Sequence, residues 1–285
     1  MKPISTFMAD PRHGQIAALL GLVSLGILAF GFEMPWWRPT VAVLTANLVQ
    51  LVISQILKIP FDWRSPTISS LSLTLLLRTD GPELVALAAF AAIASKAVIR
   101  FRGRHFFNPT ALGIVLIVLL FDGAWVSPGQ WGTEGWIVVF IAGAGLAVTY
   151  GASRLDVPLA FLGFWAALSF GRAWWFGDPF SIPLHQMSSG ALVVFAFFMV
   201  SDPMTAPWNR FARLMWVGAV ALTGFALQTS WIVTSGPIWG LVAMAPLVPV
   251  LNALFPAPVK QWRRAAAKDT SENVPPKGVH SCVSS

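Results

Sequence analysis

The chain has very little charge and almost no cysteine. Only 11% of its 285 residues are charged, whereas 56% are hydrophobic, and the mean hydropathy is +0.69. A soluble domain of this size needs far more charge to cover its surface, so the composition predicts a polytopic membrane protein. The single cysteine, Cys282, excludes a disulfide framework within the chain. It also excludes a zinc site or iron–sulfur cluster held by several cysteines of this chain.

The charge that is present is mostly basic. The net charge is +7 and the sequence pI is about 10.3. The cations stand in short segments between apolar runs, where they act as topology signals and contact anionic lipid headgroups. The predicted partner of these cations is therefore the lipid bilayer and not a nucleic acid.

Apolar runs divide the chain into ten candidate spans. We expect an all-α polytopic membrane protein in which residues 1–13 form a cytoplasmic tail, 14–255 the membrane domain and 256–285 a disordered cytoplasmic tail. The third, fourth and eighth runs are short or interrupted by Asp, Gly and Pro, which is typical of discontinuous membrane helices. The runs cover residues 15–31, 41–57, 67–79, 83–94, 111–121, 135–150, 157–170, 187–200, 213–228 and 231–254.

The distribution of cations predicts the orientation. Ten spans place both termini on one side of the membrane. With the termini in the cytoplasm, only Arg38, Arg78 and Arg172 of the 19 Lys and Arg residues lie outside, and the other 16 lie inside. The positive-inside rule therefore favours a multi-pass protein of the cell inner (plasma) membrane with both termini cytoplasmic.

A dense basic segment lies directly before an Asn-Pro helix start. Four cations fall within nine residues, and a bilayer core does not hold that many unpaired charges, so we expect this loop to lie in water. Asn108 is predicted to be an N-cap and Pro109 the first helical residue. The exposed N–H groups at such a helix start favour an anionic or carbonyl-rich ligand, and the alternative is an ordinary capped helix. The four cations are Lys96, Arg100, Arg102 and Arg104.

Two similar segments indicate an internal repeat. Ser69-Ser70 precedes a short apolar run and Asp80-Gly81-Pro82, whereas Ser188-Ser189 precedes a short apolar run and Asp202-Pro203. Each is the third span of its five-span half, and the two Asp-Pro segments lie on opposite sides of the membrane in the ten-span topology. We therefore expect inverted repeats over about 14–122 and 135–255, with paired broken helices around a shared cavity.

The motifs at these positions resemble a known family. Gly103 to Ala111 reads GRHFFNPTA, and Phe198 to Ala206 reads FMVSDPMTA. Together they resemble the paired FNPA and ATDPVSA-like signatures of the RnfD/NqrB family, whose members are membrane components of the Rnf electron transport complex and of the sodium-pumping NADH:quinone reductase. The resemblance extends over nearly the whole membrane domain.

Membership would imply a ten-helix inverted-repeat fold, resembling urea channels, that holds flavins and passes electrons within a larger inner-membrane complex. Its partners would be other membrane and peripheral subunits. In the family, the FNPA segment is associated with a noncovalently held riboflavin. The resemblance thus points to Asn108, with His105, Pro109 and Thr110 in the same motif and Asp202 in the second.

One motif of the family is incomplete here. The electron-carrying members attach FMN to the threonine of an S(T)GAT motif before the eighth span. This chain has Ser188-Ser189-Gly190-Ala191-Leu192 at that place, so Ser189 to Ala191 match a fragment of the motif. Leu192 replaces the acceptor and has no hydroxyl, so the ester cannot form there. The expected cofactor is riboflavin or noncovalent FMN, with Ser188 and Ser189 as further candidate binding residues.

The acidic residues bear on the kind of function. All twelve Asp and Glu residues fall in predicted loops, tails or helix ends, whereas a proton or sodium relay usually needs a carboxylate inside the membrane. This pattern favours ligand holding and electron transfer over ion coordination by side chains, although the backbone carbonyls of a broken helix could still bind an ion. Together with the resemblance, it predicts a flavin-associated electron-transfer subunit, electron-carrying or non-catalytic, without catalytic or metal-ligating residues of its own. The alternative is a small-solute channel or transporter with the urea-channel-like fold, because both functions use the same architecture.

Overall fold

The computed structural model describes residues 10–28, 34–127, 135–151 and 153–258, and most of these residues are helical. The helices are α1 Pro11–Leu28, α2 Trp37–Ile56, α3 Arg64–Thr74, α4 Pro82–Val98, α5 Pro109–Leu120, α6 Gly135–Gly151, α7 Asp156–Phe176, α8 Ser181–Met187, α9 Gly190–Val194, a π-helix Phe195–Met199, α10 Arg210–Ser230, α11 Gly236–Met244 and α12 Leu247–Leu254. The strands are β1 Leu77–Thr79, β2 Arg100–Phe101, β3 Arg104–His105 and β4 Ala124–Val126.

Several helices are long and apolar enough to cross a membrane. Among the described residues, α2, α7 and α10 meet this condition alone, and the number rises to five if each bent pair counts as one span. The bent pairs are α8 with the continuous helix 190–199, at 49°, and α11 with α12, at 50°. Helices α1, α5 and α6 are apolar but shorter. The fold is therefore that of an all-α membrane protein to which two short strand pairs are added.

Helices α1 to α5 form one packed group. Helix α3 packs against α1 and α2, and α4 packs against α2 and α5. Small residues permit the closest of these contacts: a Cβ atom built at Gly113 of α5 would lie 2.6 Å from the carbonyl oxygen of Ala88 in α4. Small residues are common at helix interfaces in membranes because they let two backbones approach.

Helices α6 to α12 form a second group. Helix α6 packs against α9 and the π-helix, and α10 packs against α7 and α11. Glycine again allows the tightest approach, since a Cβ atom at Gly240 of α11 would lie 2.6 Å from the carbonyl oxygen of Val220 in α10. The two groups meet where α1 contacts α6 and where α5 contacts α11.

Two helices are interrupted, in different ways. Helix α3 ends at Thr74, and the chain continues into β1. This strand pairs antiparallel with β4, with Leu77 opposite Val126. The second interruption lies between α8 and α9, and the π-helix follows at Phe195–Met199. These residues are fully buried, and Val200 donates its backbone N–H to the oxygen of Phe195. Backbone groups freed by a broken helix need such partners in an apolar medium.

The basic segment before α5 is a β-hairpin. Strands β2 and β3 pair with Arg100 opposite His105, and the turn consists of Arg102 and Gly103. Both turn residues have positive φ, at 50° and 79°, which is the conformation of the two-residue type I′ turn that suits the strand twist. We call this side of the molecule the hairpin end, and the side that carries Ser188 and Ser189 the Ser189 end.

Several sequence expectations need correction. Lys96 lies in the last turn of α4 and not in the loop, and its Nζ donates to Ser65 Oγ and Ser69 Oγ at 3.0 and 3.3 Å. Helix α7 continues to Phe176, six residues beyond the end of the apolar run that predicts it. Ser69 and Ser70 lie inside α3, whereas Ser188 and Ser189 form the link between α8 and α9, so the two serine pairs do not occupy matching places.

The expected tails are only partly described. Helix α1 begins at Pro11, within the segment 1–13 that the sequence predicts to be a tail. Residues 1–9 and 259–285, which include Cys282, lie outside the described residues.

Candidate functional site

Asn108 joins the two motifs that the sequence singled out. It is the N-cap of α5, and its Oδ1 accepts a hydrogen bond from the N–H of Ala111 at 3.0 Å, so the predicted cap is confirmed. Its Nδ2 donates to the carbonyl oxygen of Met199 at 3.0 Å, across 91 residues of sequence. Asn108 is only 6% exposed. Both ends of the carboxamide are therefore used within the chain.

The neighbouring motif residues are also held by the fold. Pro109 is buried as the first residue of α5, where its missing N–H needs no partner. Thr110 is buried, and its hydroxyl donates to the carbonyl oxygen of Ser69 in α3 at 3.0 Å. The start of α5 thus binds α3 on one side and the π-helix on the other.

Arg104 of β3 is fixed against the segment that contains Asp202. Its Nε donates to Met204 O at 2.6 Å, and one of its terminal nitrogens, Nη2, donates to Pro203 O at 2.8 Å. The guanidinium carbon lies 5.0 Å from the centre of the Trp208 ring, within cation–π range. The other terminal nitrogen, Nη1, is buried and has no hydrogen-bond partner among the described residues.

His105 and Asp202 lie within electrostatic reach of each other. Burial is the main cause that lowers the pKa of His105, to about 4; Asp202 raises it, and nearby cations lower it further. The imidazole is therefore neutral at pH 7. Asp202 Oδ1 accepts the N–H of Met204 at 2.9 Å, as expected of a residue that fixes a turn. The cations near His105 are Lys96, Arg104 and Arg100.

A cavity of about 470 Å³ lies at the Ser189 end, within the size range of ligand pockets. Trp165 and Phe195 form its buried wall. The ring of Phe161 contacts both, with its centroid 5.7 Å from that of Trp165 and 5.0 Å from that of Phe195. Polar side chains also line the cavity, namely those of His185, Gln186, Ser189, Gln228, Thr234 and Ser235. An aromatic wall with several amide and hydroxyl groups suits an aromatic ligand that has a polar edge.

The candidate binding residues fall into two groups at opposite ends of helix 190–199. Asn108, His105, Pro109, Thr110 and Asp202 lie at the hairpin end. Ser189 lines the cavity at the other end, together with Leu192, whereas Ser188 donates its hydroxyl to Leu184 O at 2.9 Å. Ten helical residues separate the groups, which corresponds to about 15 Å.

Sequence reasoning missed most of the cavity residues. Trp165 and Gln228 lie on α7 and α10 and reach Ser189 only through the packing of three chain segments. The one available signal was the presence of amide side chains, Gln186 and Gln228, beside the ends of apolar runs. Trp208 was also missed, because nothing local in the sequence places it over Arg104.

The fold and its sites define a helical protein with apolar helices able to cross a membrane and with a cavity lined mostly by the second helix group. Neither a protein-family model nor a curated protein matches this chain.

Proposed function

We propose that this protein is a membrane-embedded, flavin-associated electron-transfer subunit of a redox complex similar to the Rnf and sodium-pumping quinone reductase complexes. The observation that carries the proposal is the cavity at the Ser189 end. Its volume of about 470 Å³ and its Trp165 and Phe195 wall suit an isoalloxazine ring system. Gln186 and Gln228 offer paired donors and acceptors to the polar edge of such a ring.

The chemistry of the cavity fits a noncovalent flavin. Leu192 lines it where the resembling motif has the acceptor threonine, and Ser189 offers a hydroxyl beside it. A bound flavin would supply one- and two-electron chemistry. The chain would bind the flavin, orient it and exclude water from its buried face.

The packing supports an inverted arrangement of two five-span halves. In this arrangement, α1 to α5 correspond in order to α6, α7, the helix 190–199, α10 and the pair α11–α12. In each half, the third element then contacts the first, and the fourth contacts both the second and the fifth. The contacts between the groups, α1 with α6 and α5 with α11, then join corresponding elements. We infer ten spans in the inner membrane, with the hairpin end and both termini cytoplasmic.

The alternative, a solute channel, needs a continuous passage between the two ends. The helix that leads from the cavity toward Asn108 is closely packed: Phe195 lines the cavity, Phe197 packs against Gly145 of α6, and Phe195, Phe197 and Phe198 are each less than 5% exposed. This packing favours a closed cofactor site over a conduit. A channel would be supported instead if colourless protein conducted a small solute in liposomes.

The absorption spectrum of the detergent-purified protein tests the proposal. We expect a flavin band that stays with the protein through gel filtration and is released by acid precipitation, because Leu192 cannot form an ester. Gln228→Leu should weaken flavin retention about tenfold, as the loss of a hydrogen bond in a desolvated site implies. Gln50→Leu in α2 is the matched control, since its amide contacts Ser54 and not the cavity.

Three results would count against this account. A protein with no flavin contradicts the function. Flavin that survives on the acid-denatured chain contradicts the noncovalent linkage. Flavin that Gln228→Leu leaves in place, but an Asn108 substitution removes, places the flavin at the hairpin end.

A further inference from the structure

A second, smaller cavity lies at the hairpin end. Its volume is about 100 Å³, and it lies between the β2–β3 hairpin, the segment before α10 and helix α12. Arg104 and Trp208 line it, together with apolar side chains that include Phe101, Phe106 and Val248. The cavity therefore combines a cation with an apolar wall, and the flavin proposal assigns it no role.

Two of its lining residues carry buried donors that no described residue uses. Arg104 Nη1 and Trp208 Nε1 are both buried without a hydrogen-bond partner among the described residues. A buried donor without an acceptor is costly, and a guanidinium donor more so, because Arg does not lose its proton at physiological pH. Two such donors beside one small cavity favour an acceptor that is not among the described residues.

The arrangement is also rigid before any ligand arrives. The backbone oxygens of Pro203 and Met204 hold two of the three guanidinium nitrogens, and the ring of Trp208 lies beside the group. The backbone N–H of Trp208 in turn donates to Asn252 Oδ1 of α12 at 2.9 Å. Preorganisation of this kind lowers the entropy lost on binding and fixes where the acceptor must lie.

The surroundings identify the chemistry of the acceptor. Arg102 also lines the cavity, so two cations face the single nearby carboxylate among the described residues, that of Asp202, and the local charge disfavours a cationic headgroup. Large apolar side chains are exposed around it, at 47% for Phe101, 62% for Phe211 and 67% for Leu254. These residues suit acyl chains, and Arg is well matched to phosphate. Basic sites between helices at the membrane boundary are typical places for anionic headgroups.

We propose that this cavity binds the phosphate group of an anionic phospholipid, with Arg104 and Trp208 as its hydrogen-bond donors. The lipid would connect the hairpin, the Asp202 segment and α12 at the edge of the membrane. This site is independent of the flavin cavity, which lies at the opposite end of the molecule.

Binding can be measured on the delipidated full-length protein in detergent. The probes are dioleoylphosphatidylglycerol, dioleoylphosphatidylcholine and inorganic phosphate, followed by native mass spectrometry and by the melting temperature. We expect phosphatidylglycerol to remain bound and to raise the melting temperature. Phosphatidylcholine and millimolar phosphate should do so much less.

The variants separate the two donors from general charge. Trp208→Phe keeps an aromatic ring but removes Nε1, and Arg104→Lys keeps the charge but removes the planar group; each should weaken phosphatidylglycerol binding about tenfold. Arg210→Gln, an exposed cation at the same end, should leave binding within about twofold. The proposal fails if Trp208→Phe and Arg104→Lys bind phosphatidylglycerol as the wild type does. It also fails if inorganic phosphate alone reproduces the whole stabilisation.

Discussion

At the scale of single residues, Asn108 does more than cap a helix. Its Oδ1 accepts from Ala111 and its Nδ2 donates to Met199 O, so one carboxamide closes the start of α5 and links it to the π-helix. Ser and Asp cap helices about as well as Asn. The Ser side chain is too short to reach Met199 O while it caps the helix, and an ionised Asp has no donor. Substitutions can therefore separate the two roles.

We expect Asn108→Ser to lower the free energy of unfolding by about 1 kcal/mol, because the cap survives and the bond to Met199 O is lost. Asn108→Asp should cost more, about 2 kcal/mol or above, because it buries a charge against a carbonyl oxygen. Denaturant unfolding in detergent measures both changes.

Asn209 supplies the control for Asn108. It caps α10 through bonds from Phe211 N and Ala212 N. Asn209→Ser should therefore change stability by only a few tenths of a kcal/mol. Equal effects of Ser at positions 108 and 209 would mean that the bond to Met199 contributes nothing measurable.

His105 predicts a pH dependence of stability. Burial chiefly lowers its pKa to about 4, below the value near 6.5 of an unfolded histidine. The unfolded state therefore binds the proton first as the pH falls, so stability is constant above about pH 6.5 and declines from there toward pH 4. Between pH 7.5, 6 and 5, the melting temperature should fall less steeply for His105→Gln than for the wild type. If the melting temperatures of the two proteins fell in parallel with pH, His105 would not titrate in this way.

At the scale of elements, the sequence predicted helix positions well and their ends less well. The apolar runs correspond to helices α1 to α7 and to the later segments, and the Asn108 cap is placed correctly. The hairpin and the β1–β4 pair were missed, because strands of two or three residues have no usable periodicity. The break of α3 was expected at Asp80 but comes at Thr74, where the pairing of Leu77 with Val126 determines it.

The cavity could not be read from local patterns either. Trp165, Ser189 and Gln228 belong to three segments that only tertiary packing brings together. Motif resemblance pointed to Ser189 and Asn108 as candidates, but nothing in their spacing indicates that the helix 190–199 holds them at opposite ends.

The glycine contacts between helices give a prediction at this scale. Gly113→Ala and Gly240→Ala should each destabilise the protein by about 1–3 kcal/mol, because the new methyl group would lie 2.6 Å from a backbone oxygen of the adjacent helix. Gly163→Ala in α7 is the control, since its Cβ would meet nothing within 4 Å. That substitution should be neutral or stabilising by up to about 1 kcal/mol. Thermal melts of the three variants measure the difference, and similar melting temperatures would contradict the close-packing account.

At the scale of the whole molecule, the proposed ten-span topology predicts a labelling pattern. Ile59 is exposed before α3, and Asp122 is exposed after α5, next to the far end of β1. In a Cys282→Ser background, Asp122→Cys should react with an impermeant maleimide on intact cells. Ile59→Cys should react only after the cells are opened. Labelling of both sites from the same side would overturn the topology.

The pairing of β1 with β4 also affects how the protein is made. The backbone groups of β1 find partners in Ala124–Val126, which the ribosome adds some 45 residues after Thr79. At about 5–20 residues per second, this interval lasts roughly 2–9 s. During this time β1 cannot settle in lipid with its backbone hydrogen bonds complete. We therefore expect the insertion machinery to retain the chain until α5 and β4 have emerged, so that the first five helices enter the bilayer as one cooperative unit.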